Sequence, residues 1–324
     1  MRFSFLRDAL VLPVAAIAAM LALCACHRDG DARQGGGANE RNGRPVVVTT
    51  TTMVTDLVRS IAGDAFEIES LMGPGVDPHL YKPTAEDIKK LQRARLIVYS
   101  GLHLEGRMTD TFEKLAHQGR SVVSLGGSLP KDQLLTGSAQ DVDPHIWGDA
   151  SLWSQTVPAS ARALGEIAPE RRGEIDQRAR EYQERLAETH RWLQAKVQEL
   201  PPAARVLITS HDAFRYFGRA YGLTVHGIQG ISTDSEASGN DMARMIDIVK
   251  SSGLKAVFVE SSVPPTTINR ISRDTGAKVG GELLSDALST PGDFVEVGDG
   301  IRADRGTVPG MLKANMATIV NALK

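Results

Sequence analysis

Cysteine is nearly missing from this chain: of 324 residues only Cys24 and Cys26 are cysteines, and both fall in the first 26 positions. The rest of the protein can form no internal disulfide and can offer no thiolate to a metal. Basic charge is not in surplus either, since 37 Lys plus Arg face 39 Asp plus Glu with a pI near 6.5. That balance gives no electrostatic footprint for nucleic acid or another polyanion. No Gly-x-x-x-x-Gly-Lys-Ser/Thr loop occurs, so the chain is not itself a nucleotide-driven motor subunit. The hydrolase signatures Gly-x-Ser-x-Gly and His-Glu-x-x-His are also absent.

What is present begins with an export signal. Arg2 and Arg7 precede an apolar run from Ala9 to Leu23, roughly 15 residues where a membrane span needs ~20. Leu23-Cys24-Ala25-Cys26 then resembles the bacterial lipoprotein box, which implies removal of residues 1–25 and attachment of lipid to Cys26. The stretch that follows carries no large apolar side chain from His27 to Arg44 and cannot fold alone. Residues 26–44 are therefore expected to act as a flexible tether with a reach of roughly 20–25 Å.

From residue 45 onward, strand-like and helical patterns alternate. Strands are expected near 46–51, 66–71, 96–99 and 122–124, with helices near 53–62, 85–93 and 108–118. The scheme repeats with strands near 206–209, 223–227, 256–260 and 277–280, and helices near 213–221, 240–252, 264–275 and 308–323. This is an α/β pattern, with parallel sheets covered by helices. The length, with 42% hydrophobic residues, fits two lobes, at 45–168 and 201–324. Between them Pro169 to Leu200 reads as one long connecting helix, stopped by Pro201-Pro202, with Ile175, Ala179, Tyr182, Leu186, Leu193 and Val197 as its apolar stripe.

Four residues stand out against this background. Asp143-Pro144-His145-Ile146-Trp147 holds an imidazole between a proline and an apolar anchor, and Asp77-Pro78-His79 echoes it upstream. His211 follows the strand pattern Val206 to Thr209, and Asp286 follows Gly280-Gly281-Glu282-Leu283-Leu284-Ser285. In open α/β sheets the connections at the carboxyl ends of strands carry ligands. Each of these residues alone would be read as a core or surface residue, but the ordered set points to one shared metal ion. Three neutral imidazoles and a carboxylate suit Zn²⁺, while the carboxylate also admits Mn²⁺ or Fe²⁺.

Seven ordered motifs extend this: Gly75-Val76-Asp77-Pro78-His79, Gly101-Leu102-His103-Leu104-Glu105-Gly106, Asp143 to Trp147, Ser210-His211-Asp212-Ala213-Phe214, Gln229-Gly230-Ile231-Ser232-Thr233, Phe258-Val259-Glu260 and Ser285-Asp286-Ala287-Leu288. Together with the lipoprotein box they resemble the metal receptors of ABC importers, the TroA-like and ZnuA-like substrate-binding lipoproteins, over nearly all of residues 45–324. The resemblance implies two lobes joined by one long helix, a metal site in the cleft, His79 and His145 from the first lobe and His211 and Asp286 from the second. It further implies a lipid-anchored monomer on the outer face of a membrane, in the periplasm or outside the cell, that delivers Zn²⁺ or Mn²⁺ to a permease with a separate ATPase. The interval Ser128 to Val142 lacks the histidine-rich insertion of some zinc receptors.

Other residues take plainer roles. His103 is expected to make structural hydrogen bonds, His27, His117 and His190 to be solvated, and His226 to sit in a core or edge strand. Trp147 reads as a packing anchor. Glu105, Glu236 and Glu260 resemble family positions near the cleft, where a carboxylate can fix an imidazole tautomer, and a helix-capping or surface role fits each equally. A metal-dependent hydrolase is the first alternative function, but the adjacent Ser210-His211-Asp212 cannot form a triad in a strand-to-helix turn. A lipid-anchored adhesin is the second, and no repeat supports it.

Overall fold

The computed structural model describes residues 40–41, 43–137 and 141–324. The expected leader 1–25, Cys26, His27 and the start of the expected tether lie outside the described residues. A two-residue strand, β1 (Glu40–Arg41), pairs antiparallel with the start of β2 (Arg44–Thr49), so regular structure already begins within the stretch expected as tether.

Around β2 the first lobe builds a parallel ladder in the order β3-β2-β4-β5, using Glu67–Ser70, Leu96–Tyr99 and Val122–Ser124 for β3, β4 and β5. Alternation along β2 decides how the sheet is covered. Val47 faces the cluster that holds Leu57 and Ile61 of α1 (Thr52–Ala62), whereas Val46 and Val48 face Leu91 of α2 (Ala85–Arg93) and Phe112 of α3 (Met108–His117). Helix starts follow local chemistry. Thr51 caps α1, and Thr84 with Asp87 forms a capping box on α2.

Two helices not expected from the sequence, α4 (Ala150–Ser154) and α5 (Val157–Ile167), lead to the connecting helix. That helix is unbroken: a 3-10 turn at Pro169–Arg171, α6 over Arg172–Lys196 and a second 3-10 turn at Val197–Glu199. Ile175, Ala179, Tyr182, Leu186, Leu193 and Val197 are all buried along its stripe, as their spacing predicts, and Thr189 fills the gap between Leu186 and Leu193.

In the second lobe β6 (Val206–Thr209) pairs in parallel with β7 (Thr224–Gly227), and β8 (Ala256–Glu260) with β9 (Lys278–Leu283). The two pairs lie side by side through β6 and β8. Helices α7 (Arg215–Tyr221), α8 (Gly239–Ser252) and α9 (Thr266–Thr275) cover them, each ending on a left-handed glycine, Gly222, Gly253 or Gly276, as a helix C-terminus favours. A short hairpin, β10 (Phe294–Glu296) with β11 (Arg302–Asp304), precedes the terminal α10 (Val308–Leu323). One hydrophobic cluster runs from Val47 and Leu57 through Tyr182 and Leu193 to Phe258 and Ile319, so the connecting helix gives both lobes a common core.

Asp56 joins three of these elements. A single oxygen, Oδ2, accepts hydrogen bonds from Tyr182 Oη of α6 at 2.9 Å and from the Val308 N–H of α10 at 3.0 Å. Burial lifts its pKa from 3.8 to about 6 against the pull of those two bonds. The folded protein therefore holds the proton more tightly than the unfolded chain, and stability from this group falls as pH rises from about 4 to 6. Asp56→Asn keeps a neutral acceptor for both donors and is expected to match or exceed the parent's stability at pH 8, with a flatter profile between pH 4 and 6. Asp56→Ala strands both donors and is expected to lose about 1–3 kcal/mol. Urea unfolding across that pH range checks the pair, and equal destabilisation of the two variants at pH 8 would refute the account.

Candidate metal centre

Four loops deliver the centre. His79 sits in the connection after β3, His145 immediately before a 3-10 turn at Ile146–Gly148, His211 two residues beyond the end of β6, and Asp286 three beyond the end of β9. Their ligand atoms all lie within 4.8 Å of one another, and all four residues are buried. His79 is the least enclosed, at 8% exposure against 0–1% for the others.

The two Asp-Pro-His motifs use the same local device. Asp77 Oδ1 accepts the His79 backbone N–H at 2.9 Å, and Asp143 Oδ1 accepts that of His145 at 3.0 Å. Such a turn, in which an aspartate bonds the backbone two residues on, fixes where the following side chain starts. Asp143 Oδ1 also contacts His145 Nδ1 at 2.8 Å, which leaves Nε2 to face the cluster. Glu260 treats His211 the same way: Oε1 accepts the His211 backbone N–H at 2.9 Å, and Oε2 lies 2.6 Å from Nδ1.

Of the three glutamates weighed from sequence, Glu260 is thus the one that orients an imidazole. Glu236 is exposed. Glu105 is buried and organises the 100–106 loop, accepting from Ser100 N, Gly101 N and Thr50 Oγ1. That network holds Leu102 and His103 at φ values of 54° and 62°, a left-handed conformation costly for residues with a Cβ. His103 consequently stands exposed at the cleft mouth, while His226 is half-buried in β7 and His117 is exposed. His190, expected in solvent, instead lies half-buried, its Nδ1 3.3 Å from Tyr221 Oη. Asp143 as the partner of His145 is what sequence reasoning missed; the aspartate two residues before each histidine was the available signal. Trp147 does more than pack, since its Nε1 donates to Ser285 O across the lobes at 2.9 Å.

Three of the separations inside the cluster match a small cation. His79 Nε2 to His145 Nε2 is 3.4 Å, His145 Nε2 to Asp286 Oδ1 is 3.3 Å and His211 Nε2 to Asp286 Oδ2 is 3.2 Å. Ligands about 2.0–2.1 Å from a tetrahedral zinc are separated by about 3.3–3.4 Å. Asp286 turns both carboxylate oxygens toward the histidines, so it can bind through one or both.

Electrostatics separate the four. Burial opposes charge on His145, but the Asp143 and Asp286 carboxylates overcome it and lift its pKa to about 9. Burial likewise opposes charge on His211, and Asp286 with Glu260 raises it well above 6.5. His79 has no carboxylate on its ring, and burial lowers it to about 3 despite Asp286. Asp286 is pushed up by burial and pulled much further down by His211 and His145, so it stays ionised.

The sequence matches the family described as Zinc-uptake complex component A, periplasmic, over residues 47–322. The chain belongs to this family. It is 42% identical over 287 residues to the Zinc-binding protein TroA of Treponema pallidum, covering 87% of this chain and 90% of that protein. It is 38% identical over 284 residues to the Manganese-binding lipoprotein MntA of Bacillus subtilis, covering 86% and 89%. The solved structure of the periplasmic zinc-binding protein TroA from Treponema pallidum superposes with a TM-score of 0.81, covering 87% of this chain and 99% of that one. The two-lobe α/β fold with a long connecting helix is the fold of that structure, as the sequence motifs lead one to expect.

Because Glu260 orients the ring of His211 and stands outside the four-residue cluster, Glu260→Gln is expected to leave the fold intact and weaken metal binding about 10–100-fold. Chelator competition alongside thermal unfolding separates the two effects. Unchanged affinity would remove Glu260 from the centre.

Proposed function

We propose that the protein is an extracytoplasmic receptor that captures Zn²⁺ or Mn²⁺ through His79, His145, His211 and Asp286 and hands the ion to a membrane permease powered by a separate ATPase subunit. The observation that carries this is the buried cluster of three imidazoles and one carboxylate, whose 3.2–3.4 Å spacings suit a small divalent cation. Relatives named for zinc and for manganese support both ions as candidates. The donor set itself favours zinc, and a second oxygen from Asp286 would raise the coordination number in the direction manganese prefers.

The protein acts by binding rather than catalysis. A catalytic zinc keeps one position open for water, whereas four protein ligands close this one. The hydrolase alternative has no support at Ser210, whose buried Oγ makes no hydrogen bond, while the ring of His211 faces Glu260 and Asp286. Around the centre the proposed organisation is a leader at 1–25, lipid on Cys26, a tether from residue 26 that ends where β1 begins at Glu40, a first lobe continuing to 168, a connecting helix at 169–200 and a second lobe at 201–324. The lipid would hold a monomeric receptor near the permease. No described helix is long and apolar enough to cross a membrane.

Elemental analysis of protein purified without added metal, followed by competition between Zn²⁺ and Mn²⁺, tests the proposal. One ion per chain is expected. Failure to bind either ion, or metal-dependent turnover of ester, phosphate or peptide substrates, would overturn it.

A further inference from the structure

The Gln229-Gly230-Ile231-Ser232-Thr233 segment contributes no ligand, yet it spans the cleft mouth. It is tied to the loop that carries His211: Gln229 N donates to Ser210 O at 2.9 Å and Asp212 N to Gly230 O at 3.2 Å. Packing leaves no slack there, because a Cβ on Gly227 would stand 2.6 Å from Asp212 N. From this support Thr233 Oγ1 reaches the other lobe and donates to Asp77 Oδ2 at 2.7 Å, a contact between residues 156 apart in sequence. Beside it Ile231 lies against Gly137 of the first lobe, where an added Cβ would meet Ile231 Cδ1 at 2.5 Å.

Asp77 has two oxygens and two tasks. Oδ1 holds the backbone of His79, and Oδ2 is held by Thr233. His79 is also the one member of the cluster that lines the open cavity at the mouth, which puts its loop on the open side of the cluster. Other cross-lobe bonds near the centre, Trp147 Nε1 to Ser285 O, Leu288 N to Thr52 Oγ1 and Tyr216 Oη to Asp143 O, hold the Asp286 and His145 loops rather than the His79 loop.

Given the receptor function proposed above, we propose that Thr233 is a positioning residue that latches the second lobe onto Asp77, holds His79 in place from across the cleft and so sets how long the ion is retained. It touches no metal. Its effect therefore belongs to the rate of release and much less to the rate of capture or the number of ions bound.

The test compares the parent protein with Thr233→Val, which keeps the shape and loses the hydroxyl, and Thr233→Ser, which keeps the hydroxyl. Release of Zn²⁺ into excess chelator is followed by stopped flow, with capture rate and stoichiometry measured in parallel. Thr233→Val is expected to release zinc about tenfold faster, the factor set by losing one hydrogen bond to a charged acceptor. Its capture rate should stay within about twofold, and Thr233→Ser should release zinc at the parent's rate. An unchanged release rate in Thr233→Val, or a serine variant as fast as the valine one, overturns the latch. If the parent itself binds no ion, the receptor function fails, and the latch is then judged by hydrogen exchange. Amides at 229–237 should exchange faster in Thr233→Val and recover in Thr233→Ser; equal exchange in all three proteins overturns it.

Discussion

Asp286→Ala is expected to yield a folded protein that loses manganese more severely than zinc. The fold should survive because the Asp286 loop has anchors that do not use its carboxylate. Asn315 bonds both the N–H and the carbonyl of Leu284, Trp147 donates to Ser285 O, and Leu288 N donates to Thr52 Oγ1. Metal binding should not survive so well. Asp286 is the only hard donor among the proposed ligands and the only one able to supply two atoms, and manganese depends on oxygen donors and a higher coordination number. Three imidazoles still meet most of what zinc needs. Zinc affinity should fall by more than the about 10–100-fold that follows loss of a supporting carboxylate, and manganese affinity further still. Titration of both ions by chelator competition at one pH measures the difference. Equal losses, or a larger loss for zinc, would show that this carboxylate does not set selectivity.

How much of this was legible in the sequence depends on the length scale of each signal. Helices with a capping box, such as those opened by Thr84 with Asp87 and by Ser238 with Asp241, are written within four residues and are readable without a structure. The connecting helix announces itself by a stripe from Ile175 to Val197, roughly six turns at 3.6 residues per turn. By contrast, Ala150–Ser154 is too short to show a period, and Val157–Ile167 buries Ser160, Ala161 and Gly165, small residues that pack closely but carry little hydrophobic signal. The hairpin at Phe294–Glu296 and Arg302–Asp304 has strands of three residues, below the length at which alternation is visible.

The centre divides in the same way. His79 and His145 were marked by a local motif, and His211 and Asp286 by their positions after strands. The long-range pairings that hold their loops were not. Glu260 lies 49 residues from His211 and Thr233 lies 156 from Asp77, so only the folded chain reveals those pairings. Asp143 was in plain view, but its second role on the His145 ring follows from the turn bringing its carboxylate back over the imidazole.

That hidden wiring changes the expected response to pH. Unperturbed histidines would place proton competition near 6.5. In the metal-free cluster His145 is lifted to about 9 and His211 well above 6.5, while His79 is lowered to about 3. At neutral pH, therefore, His145 and His211 each carry a proton between Asp286 and their orienting carboxylates, and His79 is already neutral. A metal ion must displace both protons to bind. The sign follows directly: metal affinity rises with pH, by up to about a hundredfold per unit while two protons are displaced, and continues to rise until His145 titrates near 9. For the metal-free fold the sign is opposite. Raised histidine pKa values add stability that is complete below about 6.5 and is lost as pH climbs through about 9. Protons on His145 and His211 and a metal ion thus stabilise the same closed cluster in turn, while His79, with its pKa lowered, opposes the metal-free fold as pH falls below about 6.5. Calorimetry in buffers of different ionisation enthalpy should find about two protons released per ion at pH 7. Competition titrations from pH 5 to 9 should give the steep rise. Release of no protons, or an affinity that is flat above pH 7, would mean that the carboxylates around His145 and His211 do not hold those protons.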